Sequence, residues 1–136
     1  MDDLNSALSV SASGMRAQAG RIRIVAENIA NANSTPVAPG LEPYRRQVPV
    51  FSSFLDKDAD ATLVKLSRVE LDPAAFTVRH DPAHPAADAE GNVLVANVNP
   101  LIEMMDLREA QRSYEANLGA LDQVRSMAAS TLRILE

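Results

Sequence analysis

The sequence predicts a mainly helical protein with a small β portion, and three observations carry that prediction. Apolar residues recur every three to four positions at both ends, at Leu4, Leu8, Ala12, Met15, Ala19, Ile22, Ala26 and Ile29, and again at Met104, Leu107, Ala110, Tyr114, Leu118, Leu121, Val124, Ala128, Leu132 and Leu135. That spacing keeps one apolar stripe on one face of an α-helix. All eight prolines lie between Pro36 and Pro100, and a proline inside a helix costs about 3 kcal/mol. Four of the five aromatic residues, Tyr44, Phe51, Phe54 and Phe76, fall in that same middle stretch. The chain therefore divides into an N-terminal helix (1–35), an extended and β-hairpin middle (36–100) and a C-terminal helix (101–136). The two helices are expected to pair as an antiparallel, coiled-coil-like hairpin.

The first helix is expected over about Leu4–Ala32, roughly 40 Å at 1.5 Å per residue. Small residues at Ala12, Ala19 and Ala26 make its seam narrow, which lets another helix approach closely. Asn33 and Ser34 before Pro36 form a stop signal. Asn28 and Asn31 sit inside the last turns, where asparagine is a poor helix former, so they read as hydrogen-bonding positions toward a neighbouring segment. Tyr44–Phe51 alternates as a strand that Pro49 confines to an edge. Residues 56–62 read as a polar loop, Leu63–Leu71 and Phe76–Val78 as short strands, and Gly91-Asn92 as a turn into Val93–Val98. Asn99-Pro100 suits the start of the second helix, with Glu103 and Asp106 at the positive end of its dipole. Gly119 interrupts that helix without ending it, at a cost of about 1 kcal/mol relative to alanine.

Composition excludes several functions. Thirteen basic residues are scattered and outnumbered by 18 acids, so there is no cationic stripe of the kind nucleic acid requires. With no cysteine there is neither a disulfide framework nor a thiolate metal site. The chain opens with Asp2 and Asp3 rather than a basic start, which does not match a standard signal peptide, and no apolar run approaches the ~20 residues a membrane-spanning helix needs. Asp56, Asp58 and Asp60 imitate the first positions of a calcium loop, yet Ala61 and Ser67 stand where glycine and a bidentate glutamate belong. His80 and His84 are four apart, but Pro82 between them removes the helical geometry of a metal pair. No nucleophile motif and no phosphate loop occurs. No enzyme, metal or cofactor is expected.

Two longer stretches are more specific. Ser11-Ala12-Ser13-Gly14-Met15-Arg16-Ala17-Gln18, followed by Val25-Ala26-Glu27-Asn28-Ile29-Ala30-Asn31-Ala32-Asn33-Ser34, closely resembles the N-terminal motif of the bacterial flagellar axial proteins. Asp88–Val93, Asn97–Pro100, Glu103–Met105 and Arg112–Asn117 resemble the C-terminal motif of the same family. With Tyr44-Arg45-Arg46-Gln47 and the short chain, the sequence is most similar to the family's proximal-rod members. The resemblance implies a structural subunit without catalytic site, cofactor or metal, exported by the flagellar type III apparatus without a cleaved signal. It implies helical polymerisation with copies of itself and other flagellar rod proteins, in the periplasmic rod of the basal body, as a torque-transmitting shaft. The expected assembly residues are Met15, Ile22, Ile29, Leu118, Leu121 and Leu132, with Asn28, Asn31 and Asn117 as polar registration points. A soluble coiled-coil adaptor or export chaperone is the competing class. It would share the helical ends but have no need of a strand-bearing middle.

Overall fold

The computed structural model describes residues 2–134, so Leu135 lies outside the described residues. The order is α1 (Asp2–Ala30), β1 (Gln47–Asp56), β2 (Ala61–Leu71), β3 (Thr77–His80), β4 (Asn92–Val95) and α2 (Pro100–Ile134). The protein is mainly helical, with two small two-stranded sheets, β1-β2 and β3-β4. The strands β3 and β4 are antiparallel, with Thr77 opposite Val95 and His80 opposite Asn92.

Each boundary has a local cause. α1 ends two residues before the expected Ala32, and there the Glu27 carbonyl accepts both the backbone N–H of Asn31 at 3.1 Å and its side-chain amide at 2.9 Å. The β1–β2 connection is shorter than the expected loop. Asp56 accepts the N–H groups of Asp58 (2.9 Å) and Ala59 (3.1 Å), and Asp60 takes a left-handed φ of 45°, a conformation aspartate tolerates. The carboxylate that would open a calcium loop thus caps its own turn. In the loop before β4, Gly91 has φ 81°, and a Cβ there would lie 2.9 Å from the Pro82 ring, so both backbone and space require glycine. At the start of α2, the Asn99 side chain accepts the Leu101 N–H at 3.1 Å.

The chain forms two compact units, each drawing on the N-terminal helix, the middle and the C-terminal helix. Unit 1 combines the residues up to Ile22, Pro49–Arg68 and those from Arg108 on. Unit 2 combines Arg23–Val48 and Val69–Leu107.

In unit 1 the β1–β2 hairpin covers one side of α1. The Ser13 hydroxyl accepts the Val64 N–H at 3.3 Å and donates to the Val10 carbonyl at 2.8 Å, and Gly20 lets Leu66 approach to 3.0 Å of where a Cβ would stand. The buried residues there are Ser11, Ser13, Ala17 and Leu63, mostly small. From Arg108 on, α2 buries only Ala110 among the described residues. Its half-buried positions are Ser113, Tyr114, Asn117, Leu121, Val124 and Ala128, and from Tyr114 on they follow a three-four alternation. That stripe passes through Asn117 and leaves Leu118 39% exposed.

In unit 2, Ala32, Ala96 and Val98 pack together with Tyr44 against them, and Ile24, Val25, Val93 and Val95 are also buried. The backbone N–H of Ala96 donates to the Ser34 carbonyl at 3.1 Å, tying the segment after β4 to the segment after α1.

Candidate functional site

Two features stand out, one in each unit. In unit 1, Ala12, Met15, Arg16 and Ala19 of α1 and Tyr114, Leu121 and Arg125 of α2 surround an open, mainly apolar hollow of about 320 Å³. The expected seam of α1 is this face, turned away from the hairpin that covers Ser13, Ala17 and Gly20. Alanines at 12 and 19 leave the space unfilled. Further contacts between α1 and α2 in this unit bring Gly14 against the Asn117 side chain, 2.9 Å from an added Cβ, and Arg21 to Glu109 at 3.3 Å.

In unit 2 a buried polar hub joins the end of α1, the entry to β1 and the start of α2. Asn28 and Glu103 are both 0% exposed. The Asn28 amide donates to the Gln47 carbonyl (2.8 Å) and to Glu103 (3.1 Å), while its oxygen accepts the Gln47 N–H (2.9 Å) and the Tyr44 hydroxyl (2.8 Å). All four hydrogen-bonding positions of the amide are thereby filled. The second Glu103 oxygen accepts the Nε–H of Arg46. Arg46 also faces Asp72 at 3.4 Å and Asp106 at 3.7 Å, and its backbone N–H donates to Asn97 at 2.7 Å. Asn97 in turn donates to the carbonyls of Asp72 (3.2 Å) and Ala74 (3.0 Å), which also accept from Arg45.

The electrostatics follow from this packing. Burial raises the Tyr44 pKa, and the charges of Glu27 and Glu103 raise it further, so the phenol is held as a neutral donor. Burial alone would lower the Arg46 pKa, but the hydrogen bond and charge of Glu103, then those of Asp72, outweigh it and the net direction is upward. A buried carboxylate without its cation would be costly, so the Glu103–Arg46 pair holds β1 and α2 in one register.

The residues expected to form an assembly face separate in the structure. Met15 and Leu121 line the hollow, and Ile22 and Ile29 are half-buried on α1. Leu118 and Leu132 are exposed, the latter at 54%. Asn117 donates to the Ser113 carbonyl of its own helix at 2.9 Å, and Asn31 likewise bonds within α1. Asn28 departs from expectation. Its side chain is enclosed within the chain, so it registers α1 against β1 and α2 of the same molecule rather than facing another subunit.

Sequence reasoning missed Tyr44, Gln47 and Glu103 as partners of Asn28, and Arg46, Asp72 and Asn97 as the further members of the hub. An acid in the first turn of a helix is explained by the dipole alone, and nothing in the local pattern distinguishes it from a buried one. The signal that worked was an asparagine inside a helix. The histidines are occupied locally: His80 faces Asn92 at 3.3 Å, and His84 contacts Thr35 at 3.2 Å and accepts the Ala86 N–H at 3.0 Å. Among the described residues no group of three or more His, Asp or Glu side chains is arranged to hold a metal ion, and no helix is long and apolar enough to cross a membrane.

Comparison with known proteins adds independent observations. Residues 8–36 match the family described as flagella basal body rod protein, and residues 89–134 match the family described as flagellar basal body rod FlgEFG protein C-terminal. Over its full length the chain is 47% identical to the flagellar basal-body rod protein FlgC of Agrobacterium fabrum, covering 98% of that relative. It is 39% identical to FlgC of Aquifex aeolicus, with 96% of each chain covered, and 37% identical to FlgC of Bacillus subtilis, with 93% of this chain and 95% of the relative covered.

Proposed function

Because the chain belongs to the family of flagellar basal-body rod proteins, we propose that it polymerises helically through its terminal helices to build the shaft that carries torque across the periplasm. It is a structural subunit of the flagellar basal body, not an enzyme. The observation that carries the mechanical reading is the open apolar face of unit 1. A helix pair that buries few large side chains by itself gains its burial from neighbours.

In this reading α1 and α2 run antiparallel as a coiled-coil-like pair. Support comes from the contact order, since Gly14 meets Asn117 while the later Arg21 meets the earlier Glu109, and from the three-four spacing along α2. Met15, Ile22, Ile29, Leu118, Leu121 and Leu132 then belong to the packing surface between subunits, with Asn117 setting how close the two helices lie. The partners are copies of the same chain and other rod proteins. In the same reading, delivery is by the flagellar export apparatus. A coiled-coil adaptor or chaperone is not favoured, since the relatives matched over nearly the whole chain are rod proteins.

Deleting the chain from its host and restoring it on a plasmid tests the reading. Cells without it should lack a complete rod by electron microscopy of basal bodies and should not swim, and restoration should return both. A deletion strain with intact rods would overturn it.

A further inference from the structure

Unit 1 carries one cationic and one acidic surface, although Arg16 also shares a depression with Asp56 of the hairpin. Arg16 and Arg125 border the apolar hollow, and neither forms an ion pair with a described residue. At the turn between β1 and β2, Asp58 and Asp60 gather with Asp3 of α1 around a second, polar depression; none of the three forms an ion pair with a described residue, although Lys57 belongs to the same turn. Three carboxylates brought together without an ion-pair partner repel one another, and a cationic surface placed against them relieves that. Next to this turn, Leu55 is 65% exposed at the end of β1.

We propose that the acidic β1–β2 turn of one copy docks into the arginine-bordered hollow of the next. Leu55 fills the apolar floor, and Asp58 and Asp60 meet Arg16 and Arg125. The hollow, at about 320 Å³, is roughly twice the ~150 Å³ that admits a benzene-sized group, so it holds a leucine side chain. Turn and hollow are different patches of the same chain, so each copy offers one and receives the other. The contact is heterologous and propagates instead of closing as a pair. The proposal rests on the rod-subunit reading and names which surfaces of two copies meet.

A charge exchange in full-length chains, expressed in place of the parent, tests it. Asp58→Arg and Arg125→Asp should each lower swimming at least tenfold, and the double variant should recover most of the loss. Either single variant swimming like the parent, or a double variant no better than the worse single one, overturns the contact. Both side chains are exposed, so purified variants should keep the parent's circular dichroism, which separates docking from folding. The absence of native cysteine allows a second measurement. One copy carrying Leu55→Cys and another carrying Ala19→Cys, co-expressed in a motile strain and oxidised, should give a covalent dimer that neither gives alone. A motile strain without that dimer sinks this contact and leaves the rod function standing, whereas intact rods in the deletion strain would sink both.

Discussion

The four largest wholly buried side chains, Ile24, Glu103, Val93 and Asn28, all belong to unit 2, whereas unit 1 buries serines, alanines and Leu63; both leave large apolar side chains exposed, Leu118, Met127, Leu132 and Ile134 in unit 1 and Val37, Leu101, Ile102 and Met105 in unit 2. The two units thus differ in what they enclose. Unit 2 encloses large and polar side chains, and its polar hub fixes where β1 and α2 begin relative to the end of α1. Unit 1 is built of longer helix but encloses less, so its apolar surface is available to other molecules. A subunit that must travel alone and then join a polymer needs both behaviours. One part has to specify a fold without help, and the other has to postpone its burial.

The contrast breaks most visibly at Glu103. Glu103→Ala takes from the Asn28 amide one of its two acceptors and from Arg46 its closest carboxylate, leaving Asp72 and Asp106, and removing one side of a buried pair costs up to about 3–5 kcal/mol. Amide exchange within residues 23–48 and 69–107 should accelerate accordingly. Protection unchanged there would mean that the hub does not hold unit 2 together.

Asn28→Ala comes next, at about 2–4 kcal/mol, because the Gln47 backbone groups and the Tyr44 hydroxyl lose their partner together. Asn31→Ala, which removes only a bond to its own helix, should change stability by no more than ~0.5 kcal/mol. Urea unfolding of the two variants side by side checks the difference, and equal effects would refute the assignment of Asn28 alone to the hub.

Tyr44 sharpens the comparison through pH. Its pKa is raised above the ordinary value of 10.0 in the fold, so the stability tied to its neutral form is fully present below that value and is lost as pH rises through the folded one. Tyr44→Phe should cost about 1 kcal/mol at neutral pH through the lost bond to Asn28. It should also flatten the decline in stability above pH 10, measured by urea unfolding at a series of alkaline pH values. An identical alkaline decline in both proteins would assign the effect to other groups.

Leu121→Asp is expected to have a small effect on the free chain and a large one on assembly. Leu121 is half-buried at the edge of the hollow, so a carboxylate there remains hydrated in the isolated subunit and should cost about 1 kcal/mol or less. In a polymer the same carboxylate would be enclosed at every repeat, and swimming should cease. Normal swimming, or a stability loss as great as that of Glu103→Ala, would erase the distinction between the units.

Periodicity made both helices legible, because a stripe of apolar residues at helical spacing needs no knowledge of what covers it. The positions of Pro36 and of Asn99-Pro100, and the alternation of Val93–Val98, which the strand follows only as far as Val95, likewise located element ends to within several residues, since caps and breakers act through adjacent backbone groups. Asn28 was legible as a hydrogen-bonding position because its residue type disagrees with its place in a helix. Its partners were not. Tyr44, Gln47 and Glu103 lie 16, 19 and 75 residues away, and each has an ordinary local explanation.

By itself, then, the sequence determined what local rules govern: two terminal helices, a short stranded middle and the residue patterns that mark a flagellar rod family. Only the tertiary structure decided which face of α1 the hairpin covers, that α2 turns Asn117 inward in place of Leu118, and that Asn28 is enclosed within its own chain. The physical reason is that an apolar stripe specifies that something must cover it but not what. The choice between the chain's own hairpin and a neighbouring molecule is made by long-range packing and by buried polar groups, each of which is stable only when all its partners arrive together.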